Sequence, residues 1–266
     1  MEKEYILAKT EDEKRRLKLL ESEFDEITIK RFEPCQLGEG STCMEIGIGA
    51  GSIAEWLSDK VGERGRVVAV DKHPYYVNES FHHRSNIKLY HDDVTTEGFL
   101  DQFGAEFDLI HARFVLVHIK ENECLIDKLV TLLKPNGWLV LEEPDFSTTL
   151  PLASDNPPVI KTLQALQTVV MQHGDRDFIG RKLPILFQKN KLINIKADGY
   201  TPISCGQSNM SEMHARTVAH LKDELIESGM VTSSDIDSFL LHCENPESWL
   251  RECQLIGASG QRSAAS

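Results

Sequence analysis

Short apolar runs alternate with amphipathic stretches along the first 146 residues. The runs are only four or five residues long and rich in β-branched or other apolar residues, which is typical of buried strands. Between them, apolar residues recur at helical spacing, as Ile53, Leu57 and Val61 do. Such alternation predicts a doubly wound, mostly parallel α/β sheet. The predicted strands cover residues 42–46, 67–70, 87–90, 107–111 and 138–142.

The alternation changes after the fifth run. Residues 144–158 contain four prolines together with Ser, Thr, Asp and Asn, and this composition predicts a loop. The tail 257–266 is small and polar, so we predict that it frays. The later predicted elements are a helix over 159–171, a strand over 193–197, two helices within 211–243 and a last strand over 249–256.

Composition limits the class of protein. The chain has 266 residues, 41% of them hydrophobic, which suffices for a substantial core. Its formal net charge of −13 disfavours a nucleic-acid partner, because the phosphate backbone would be repelled. No apolar stretch is long enough to span a membrane, and the charged N-terminus lacks a signal peptide's apolar stretch. The six cysteines show no C-x-x-C spacing, so we expect neither a zinc site nor a disulfide framework. A reducing, cytoplasmic location is then the expected one.

A glycine-rich turn follows the first predicted strand. The run EIGIGAG at 45–51 lies between that strand and the first amphipathic helix. Glycines there allow a tight turn and let a ligand lie against bare main chain. Ser52 and Glu55 have the spacing of a capping box, which predicts the start of the helix. The third glycine comes one residue too early for the dinucleotide fingerprint G-x-G-x-x-G, which disfavours a nicotinamide ligand.

Two acids follow the next two predicted strands. Asp71 ends the second strand, where a carboxylate can accept hydrogen bonds from both hydroxyls of a ribose. Asp93 follows the third strand, where a carboxylate can accept from the exocyclic amine of adenine while Val94 packs near the ring. The carboxyl ends of parallel strands share one edge of a sheet, where such folds bind ligands. Together with the glycine turn, these acids predict one adenosyl-binding site.

With these features the chain resembles the class I S-adenosylmethionine-dependent methyltransferases of the small-molecule type. Their first turn has the form E/D-x-G-x-G-x-G, and their ligand has no pyrophosphate. The resemblance covers residues 1 to about 146 well and the remainder loosely. Asn136 replaces a glycine of the family's LKPGG turn, a position where Asn can adopt the same left-handed conformation. The matching stretches are EIGIGAG at 45–51, RVVAVDK at 66–72, YHDDV at 90–94, EFDLIHARFVLVHI at 106–119 and LLKPNGWLVLEEPDF at 132–146.

The resemblance implies a seven-stranded sheet whose last strand is antiparallel, and a role for each matching residue. The main chain at Gly47, Gly49 and Gly51 would lie against the methionine part of S-adenosylmethionine, and Glu45 would lie near its amino group. The residues implied for the rest of the cofactor are Asp71 and Lys72 at the ribose, Asp93 and Val94 at the adenine, and His111 beside the sulfonium.

The resemblance also implies that the N-terminal helix folds over the cofactor as a lid. Tyr5 and Arg16 are candidate lid contacts, Arg16 with the methionine carboxylate. The chain would then divide into a helical lid (1–40), a cofactor-binding core (41–146), a helical insertion that caps the acceptor (147–190) and the remainder of the core sheet with its helices (191–266).

Methyl transfer from a sulfonium is an in-line displacement with an activated donor, so it depends mainly on alignment and exclusion of water. A general base is needed only if the acceptor must lose a proton. His111 and Glu143 are our candidate catalytic residues, because both come from the carboxyl edge of the predicted sheet. The other candidates at this edge or in the insertion are His118, Glu142, Asp145 and His173, and we find no metal-ligating constellation.

The acceptor and the oligomeric state stay open. We predict a small-molecule acceptor, methylated on O, N or C, with S-adenosylhomocysteine as the product. The main alternative is a nucleic-acid or protein methyltransferase, but residues 111–114 read HARF where amino-methylating DNA enzymes carry an Asn/Asp-Pro-Pro-aromatic run. A nicotinamide-dependent oxidoreductase and a binding protein without turnover are the remaining alternatives.

Overall fold

The computed structural model describes residues 11–148, 150–151, 156–173 and 179–264. The strands are β1 Thr42–Ile46, β2 Arg66–Asp71, β3 Ile87–His91, β4 Phe107–Arg113, β5 Leu133–Asp145, β6 Leu150–Pro151, β7 Ile193–Tyr200, β8 Ile203–Cys205, β9 Trp249–Arg251 and β10 Gln254–Gln261. The helices are α1 Glu11–Phe32, α2 Ser52–Val61, α3 Glu79–His82, α4 Asn122–Leu132, α5 Pro157–His173, α6 Ile179–Lys189, α7 Asn209–His220, α8 Lys222–Glu227 and α9 Ser233–Glu244.

Seven strands form one sheet in the order β3-β2-β1-β4-β5-β10-β7. β1 pairs in parallel with β2 and β4, and the parallel ladder continues from β2 to β3 and from β4 to β5. β10 runs antiparallel to β7. The predicted seven-stranded sheet, mostly parallel with an antiparallel last strand, is therefore confirmed. Because the chain moves outward from β1 to β3 and then returns to β4, a topological switch point lies between β1 and β4.

The central strands are apolar throughout because both faces of the sheet are covered. Residues 43–46 of β1 and 67–70 of β2 are all buried. Adjacent side chains point to opposite faces, so Met44 joins an apolar cluster with Leu129 of α4 while Cys43 joins another with Leu57 of α2. This two-sided burial explains why these strands read as continuous apolar runs rather than as alternating ones.

The chain divides into two compact units. One comprises the residues up to Phe24, 145–176 and 201–254; the other comprises 25–144, 177–200 and the residues from Leu255. The second unit contains the seven-stranded sheet. The first contains α5 and α7 to α9, packed around an apolar cluster, and a small antiparallel sheet in the order β6-β9-β8. Within the described ranges, no helix is long and apolar enough to cross a membrane.

The prediction that the tail frays from Gly257 is wrong. Residues 257–261 belong to β10, which lies between β5 and β7. Close packing, and not disorder, explains why these residues are small. A Cβ on Gly257 would lie 2.2 Å from Nε of Arg31, and one on Gly260 would lie 2.8 Å from Cδ2 of Phe187. Small residues therefore let the last strand pass close to large side chains.

Three other predicted boundaries also differ from the structure. The predicted strand over 249–256 is two strands, β9 in the small sheet and β10 in the large one. The predicted helical region 211–243 contains parts of three helices, α7, α8 and α9, instead of two. The predicted loop over 144–158 includes the end of β5, the short strand β6 and the start of α5.

Candidate active site

The glycine turn joins β1 to α2 at the switch point. Gly47, Gly49 and Gly51 have φ angles of 72°, 59° and 98°, in the left-handed region that favours glycine. A Cβ on Gly47 would lie 2.3 Å from Cγ2 of Val115, far inside van der Waals contact. The N–H of Gly47 donates to the carbonyl oxygen of Val70 at 2.8 Å. Both conformation and packing therefore require the first glycine of this turn.

Helix α2 begins at Ser52 as expected, but the predicted capping box is wrong. The N-cap is Gly51, and no side chain caps the helix. Because Gly51 ends the turn in a left-handed conformation, Ser52 is already the first helical residue and cannot act as N-cap. Glu55 instead accepts a hydrogen bond from Oγ of Ser80 at 3.1 Å. The start of α2 is thus set by main-chain geometry.

Asp71 is hydrogen-bonded to the glycine turn. Its Oδ2 accepts from the N–H of Gly49 at 3.1 Å, and its Oδ1 accepts from the N–H of His73 at 2.6 Å. Burial raises the pKa of Asp71, and the two N–H donors act in the opposite direction. An ionised carboxylate has about four acceptor sites, so this one can take further donors. The structure therefore brings together the predicted residues of β1 and β2.

Asp93 and Lys72 form an ion pair across neighbouring strand ends, with Nζ 3.1 Å from Oδ2. The other oxygen of Asp93 accepts from the N–H and the hydroxyl of Thr95, at 2.9 and 2.7 Å. Burial opposes ionisation, but Thr95 and Lys72 together lower the pKa of Asp93. Val94 is buried in one of the two apolar clusters of the sheet. Asp71 lies opposite His91 in the β2–β3 ladder, and Asp93 follows His91 by two residues. Both acids therefore lie at the same sheet edge.

His111 of β4 lies between two buried carboxylates. Its Nδ1 is 2.7 Å from Oε2 of Glu45, and its Nε2 is 3.3 Å from Oε2 of Glu142. The ring of Phe32 meets it edge-on, with the centroids 5.0 Å apart. Burial would lower the pKa of His111, but Glu45 and Glu142 outweigh it and raise the pKa to about 9. This raised pKa favours a protonated ring at neutral pH, which would donate to both carboxylates, while burial raises the pKa of Glu45 against the effect of His111.

The polar network continues into the second half of α1. Arg31 pairs with Glu142 and with Asp198 of β7. The hydroxyl of Thr28 donates to Oε2 of Glu142 at 2.5 Å. Burial opposes ionisation of Glu142, but His111 and Arg31 lower its pKa to about 2. We call this the histidine–carboxylate network, and its members are Asp25, Thr28, Arg31, Glu45, His111, Arg113, Glu142 and Asp198.

The contribution of α1 to this network was not predicted from the sequence. Its signal is present, because Asp25, Thr28 and Arg31 recur at helical spacing on one face. The same face carries the buried aromatic residues Phe24 and Phe32. Polar residues inside an apolar stripe indicate buried polar partners, but the stripe alone does not say which ones.

Glu143 fixes the turn that follows β4. Its Oε1 accepts from the N–H groups of Val115 and Leu116 at 3.0 and 2.8 Å, and its Oε2 accepts from that of Val117 at 3.1 Å. Burial raises the pKa of Glu143 to about 8, although the hydrogen bonds from the three N–H groups act to lower it. Since Val115 also lies against Gly47, Glu143 supports one wall of the glycine turn.

A family model described as a methyltransferase domain matches residues 14–195, more than half of the chain. This chain belongs to that methyltransferase family. The predicted membership in the class I S-adenosylmethionine-dependent methyltransferases is confirmed, so the chain carries an enzyme domain of this class, with S-adenosylmethionine as its cofactor.

Two curated relatives of this methyltransferase are methyltransferases str2 and str3 of Strobilurus tenacellus, each 26% identical over 191 and 190 residues. The matches cover 70% and 71% of this chain and 66% of each relative, so the chain spans about two thirds of their length. Among solved structures, phosphoethanolamine N-methyltransferase 2 of Haemonchus contortus has a TM-score of 0.58 at 15% identity, covering 97% of this chain and 60% of that one. This last similarity shows a shared fold.

Two of the remaining predicted residues, Arg16 and Asp145, belong to the first unit. Arg16 forms a bidentate ion pair with Glu13 on α1 in the first unit, and both N–O distances are 2.7 Å. Oδ1 of Asp145 accepts from the N–H and hydroxyl of Ser147. Tyr5 and the side chain of His173 lie outside the described residues. Among the side chains that are described, no group of three His, Cys, Asp or Glu could hold a metal ion.

We expect the contribution of His111 to stability to fall as the pH rises above 6.5. Its folded pKa of about 9 exceeds its ordinary value of 6.5, so the stabilisation is complete below 6.5 and is lost as the pH rises through 9. The shift corresponds to at most about 3 kcal/mol.

Urea unfolding at several pH values across this window measures the effect, with His111→Gln as the matched variant. The difference in unfolding free energy between the two proteins should shrink towards high pH. A constant difference across the window would show that His111 does not titrate as its surroundings indicate.

Proposed function

We propose that this methyltransferase transfers the methyl group of S-adenosylmethionine to a small-molecule acceptor, using the edge formed by β1, β2, β3 and β4. The observation that carries the proposal is the hydrogen bond from Gly49 to Asp71, because it joins the glycine turn directly to the acid predicted at the ribose. Asp93 lies one strand further along the same edge.

The chemistry of these side chains fits the cofactor. S-adenosylmethionine carries a cationic sulfonium, two ribose hydroxyls and an adenine amine, so it needs acceptors and negative charge. Asp71 and Asp93 supply acceptors, and Glu45 adds a third carboxylate. The proposed cofactor contacts within the second unit are those predicted from the sequence: Glu45, Gly47, Gly49, Gly51, Asp71, Lys72, Asp93 and Val94. The lid contacts of Tyr5 and Arg16 and the contact of His111 with the sulfonium stay predictions from the sequence.

S-adenosylmethionine, when bound, supplies an already activated methyl group. The protein then has to hold the donor, align the acceptor and exclude water. We infer that His111 acts as a positioning residue, because its protonated ring holds the carboxylate of Glu45 two residues before the glycine turn. Glu143 likewise positions Val115 against Gly47.

Direct acid–base catalysis by His111 or Glu143 stays a prediction. Both ring nitrogens of His111 face carboxylates, and the carboxylate of Glu143 accepts three main-chain hydrogen bonds. His111, whose pKa is raised, would first have to lose a proton, and Glu143 keeps about one of its four acceptor sites for a proton from an acceptor. Their geometry therefore favours the positioning role.

Two observations support a small-molecule acceptor. The Haemonchus contortus enzyme of the same fold was solved with phosphomonomethylethanolamine, a small molecule, and S-adenosylhomocysteine. The net charge of −13 on this chain disfavours a polyanionic acceptor.

Thermal melting with added ligand tests the cofactor. S-adenosylhomocysteine should raise the melting temperature and NAD should not, because only a ligand that binds the folded state stabilises it. A shift with NAD and none with S-adenosylhomocysteine would contradict the proposed cofactor contacts.

Transfer of a labelled methyl group tests the acceptor class. The protein is incubated with labelled donor and, separately, with metabolite, protein and nucleic-acid fractions of a cell extract. We expect label in the metabolite fraction, where mass spectrometry should find a product heavier by one methylene. Label only in protein or nucleic acid, or no label in the metabolite fraction, would overturn the small-molecule proposal.

We also propose a cytoplasmic location. All six cysteines are free thiols, which suits a reducing compartment. Fractionation of cells that carry a tagged chain would test this, and recovery from the secreted fraction would contradict it.

A further inference from the structure

Strand β7 is an exposed edge of the large sheet. It is the last strand in the sheet order, and β10 pairs with one side of it only. Within the described residues, no strand pairs with its outer side. Six of its eight residues are exposed. An edge strand of this length presents a row of unpaired N–H and C=O groups that can pair with another strand.

Geometry restricts how such a strand can pair with its own copy. In an antiparallel ladder the N–H and C=O groups of alternate residues point to the same side. The N–H and C=O groups of two directly opposed residues must both point towards the partner strand or both away from it. Neighbouring residues point in opposite directions, so residue i cannot lie opposite residue i+1 of the copy. A two-fold symmetric pair must therefore be centred on a residue and not between two residues. Each choice of central residue fixes every cross-strand pair.

Of the possible centres, only Ala197 places the two opposite charges of β7 directly against each other. A centre at Lys196 or at Asp198 would place like charges directly opposite each other, which is destabilising. A centre at Ala197 places Lys196 opposite Asp198 of the copy, twice by symmetry. It also places the small Ala197 opposite itself and Ile195 opposite Gly199, so no bulky pairs collide.

The side chains concerned are accessible and share one face. Lys196 and Asp198 are two residues apart, and directly opposed residues also share a face. The carboxylate of Asp198 pairs with the buried Arg31, yet 61% of its side chain stays exposed. The other sheet edge, β3, offers no such match, because its sequence IKLYH contains no acid.

We propose that the chain forms a two-fold symmetric homodimer in which β7 pairs antiparallel with β7 of a second copy, centred on Ala197. Two Lys196–Asp198 pairs fix the register, and the two large sheets become one continuous sheet. This inference does not depend on the acceptor or on the cofactor contacts.

Analytical ultracentrifugation over a wide concentration range tests the dimer, with Lys196→Glu as the disrupting variant. The introduced carboxylate would face Asp198 of the copy, so the dimer dissociation constant should rise about tenfold or more. Lys191→Glu is the matched control, because it makes the same charge change at an exposed residue just before β7 and should leave the constant nearly unchanged. Thermal melting of both variants at low concentration checks that the monomer is intact.

Cross-linking tests the register directly. Directly opposed residues have Cα atoms about 4.5–5.5 Å apart, within the range of a disulfide. Ala197→Cys, in a Cys124→Ser background that removes an exposed thiol, should form an intermolecular disulfide under mild oxidation, whereas Lys191→Cys in the same background should not. A monomer at every concentration would overturn the proposal. So would a dimer that Lys196→Glu leaves unchanged or that Ala197→Cys fails to cross-link.

Discussion

Replacing Asp71 with alanine should abolish measurable binding of S-adenosylhomocysteine while the protein stays folded. The change removes the carboxylate proposed at the ribose hydroxyls and also the acceptor for the N–H of Gly49. Hydrogen bonds to a charged group contribute about 1.5–3 kcal/mol each, so loss of two should weaken binding about a hundredfold or more. Isothermal titration calorimetry measures the affinity, and far-ultraviolet circular dichroism checks the fold.

The matched control is Asp101→Ala. Asp101 is an acid on the surface of the same unit, paired with Lys128 and largely exposed, so its loss should leave the affinity nearly unchanged. Gly49→Val is a second test of the same site, since a β-branched residue at a φ of 59° is strained where the cofactor should meet bare main chain. Normal binding by either site variant would show that the glycine turn and Asp71 do not hold the cofactor.

Replacing Glu142 with alanine should have the largest effect on stability. The carboxylate is fully buried and faces the protonated His111, the guanidinium of Arg31 and the hydroxyl of Thr28. Removing one partner of a buried ionic network leaves uncompensated charge, and this typically costs about 3–5 kcal/mol. Urea unfolding should therefore show a large loss of unfolding free energy.

Two further variants make this prediction decisive. Glu142→Gln keeps an acceptor oxygen and the side-chain shape, so it should be less destabilising than alanine and should give a folded protein to measure. Glu106→Ala removes an acid that pairs with Arg66 at the surface, where the loss should stay within about 1 kcal/mol. If Glu142→Ala unfolded at the same urea concentration as Glu106→Ala, the network would contribute little to stability.

The polar residues of the site show how far sequence reasoning reaches. Asp71 and Asp93 were predicted because each follows a strand that is recognisable locally, and parallel pairing then places both at one edge. The partners of His111 were not predicted. Glu45 and Glu142 lie 66 and 31 residues away from it along the chain, and only the register of β1, β4 and β5 brings the three side chains together.

The errors have the same origin. The spacing of Ser52 and Glu55 fits a capping box, but the left-handed Gly51 already starts the helix. The small residues from Gly257 onwards look like a frayed tail, but Arg31 and Phe187 occupy the space that larger side chains would need. In both cases the local pattern fitted more than one structure. The main-chain conformation of Gly51 decided how the helix starts, and contacts distant in sequence decided that the tail is ordered.

The sequence by itself determined the parallel α/β core, the glycine turn and the acids at the strand ends, because two-sided burial and tight turns leave a local mark on the choice of residues. The tertiary structure alone decided that His111 bridges two carboxylates, that Arg31 of α1 completes the network and that the last ten residues include part of an interior strand of the sheet. These features depend on which distant segments meet. The free energy of such contacts comes from burial and charge pairing in three dimensions, and no short stretch of sequence carries it.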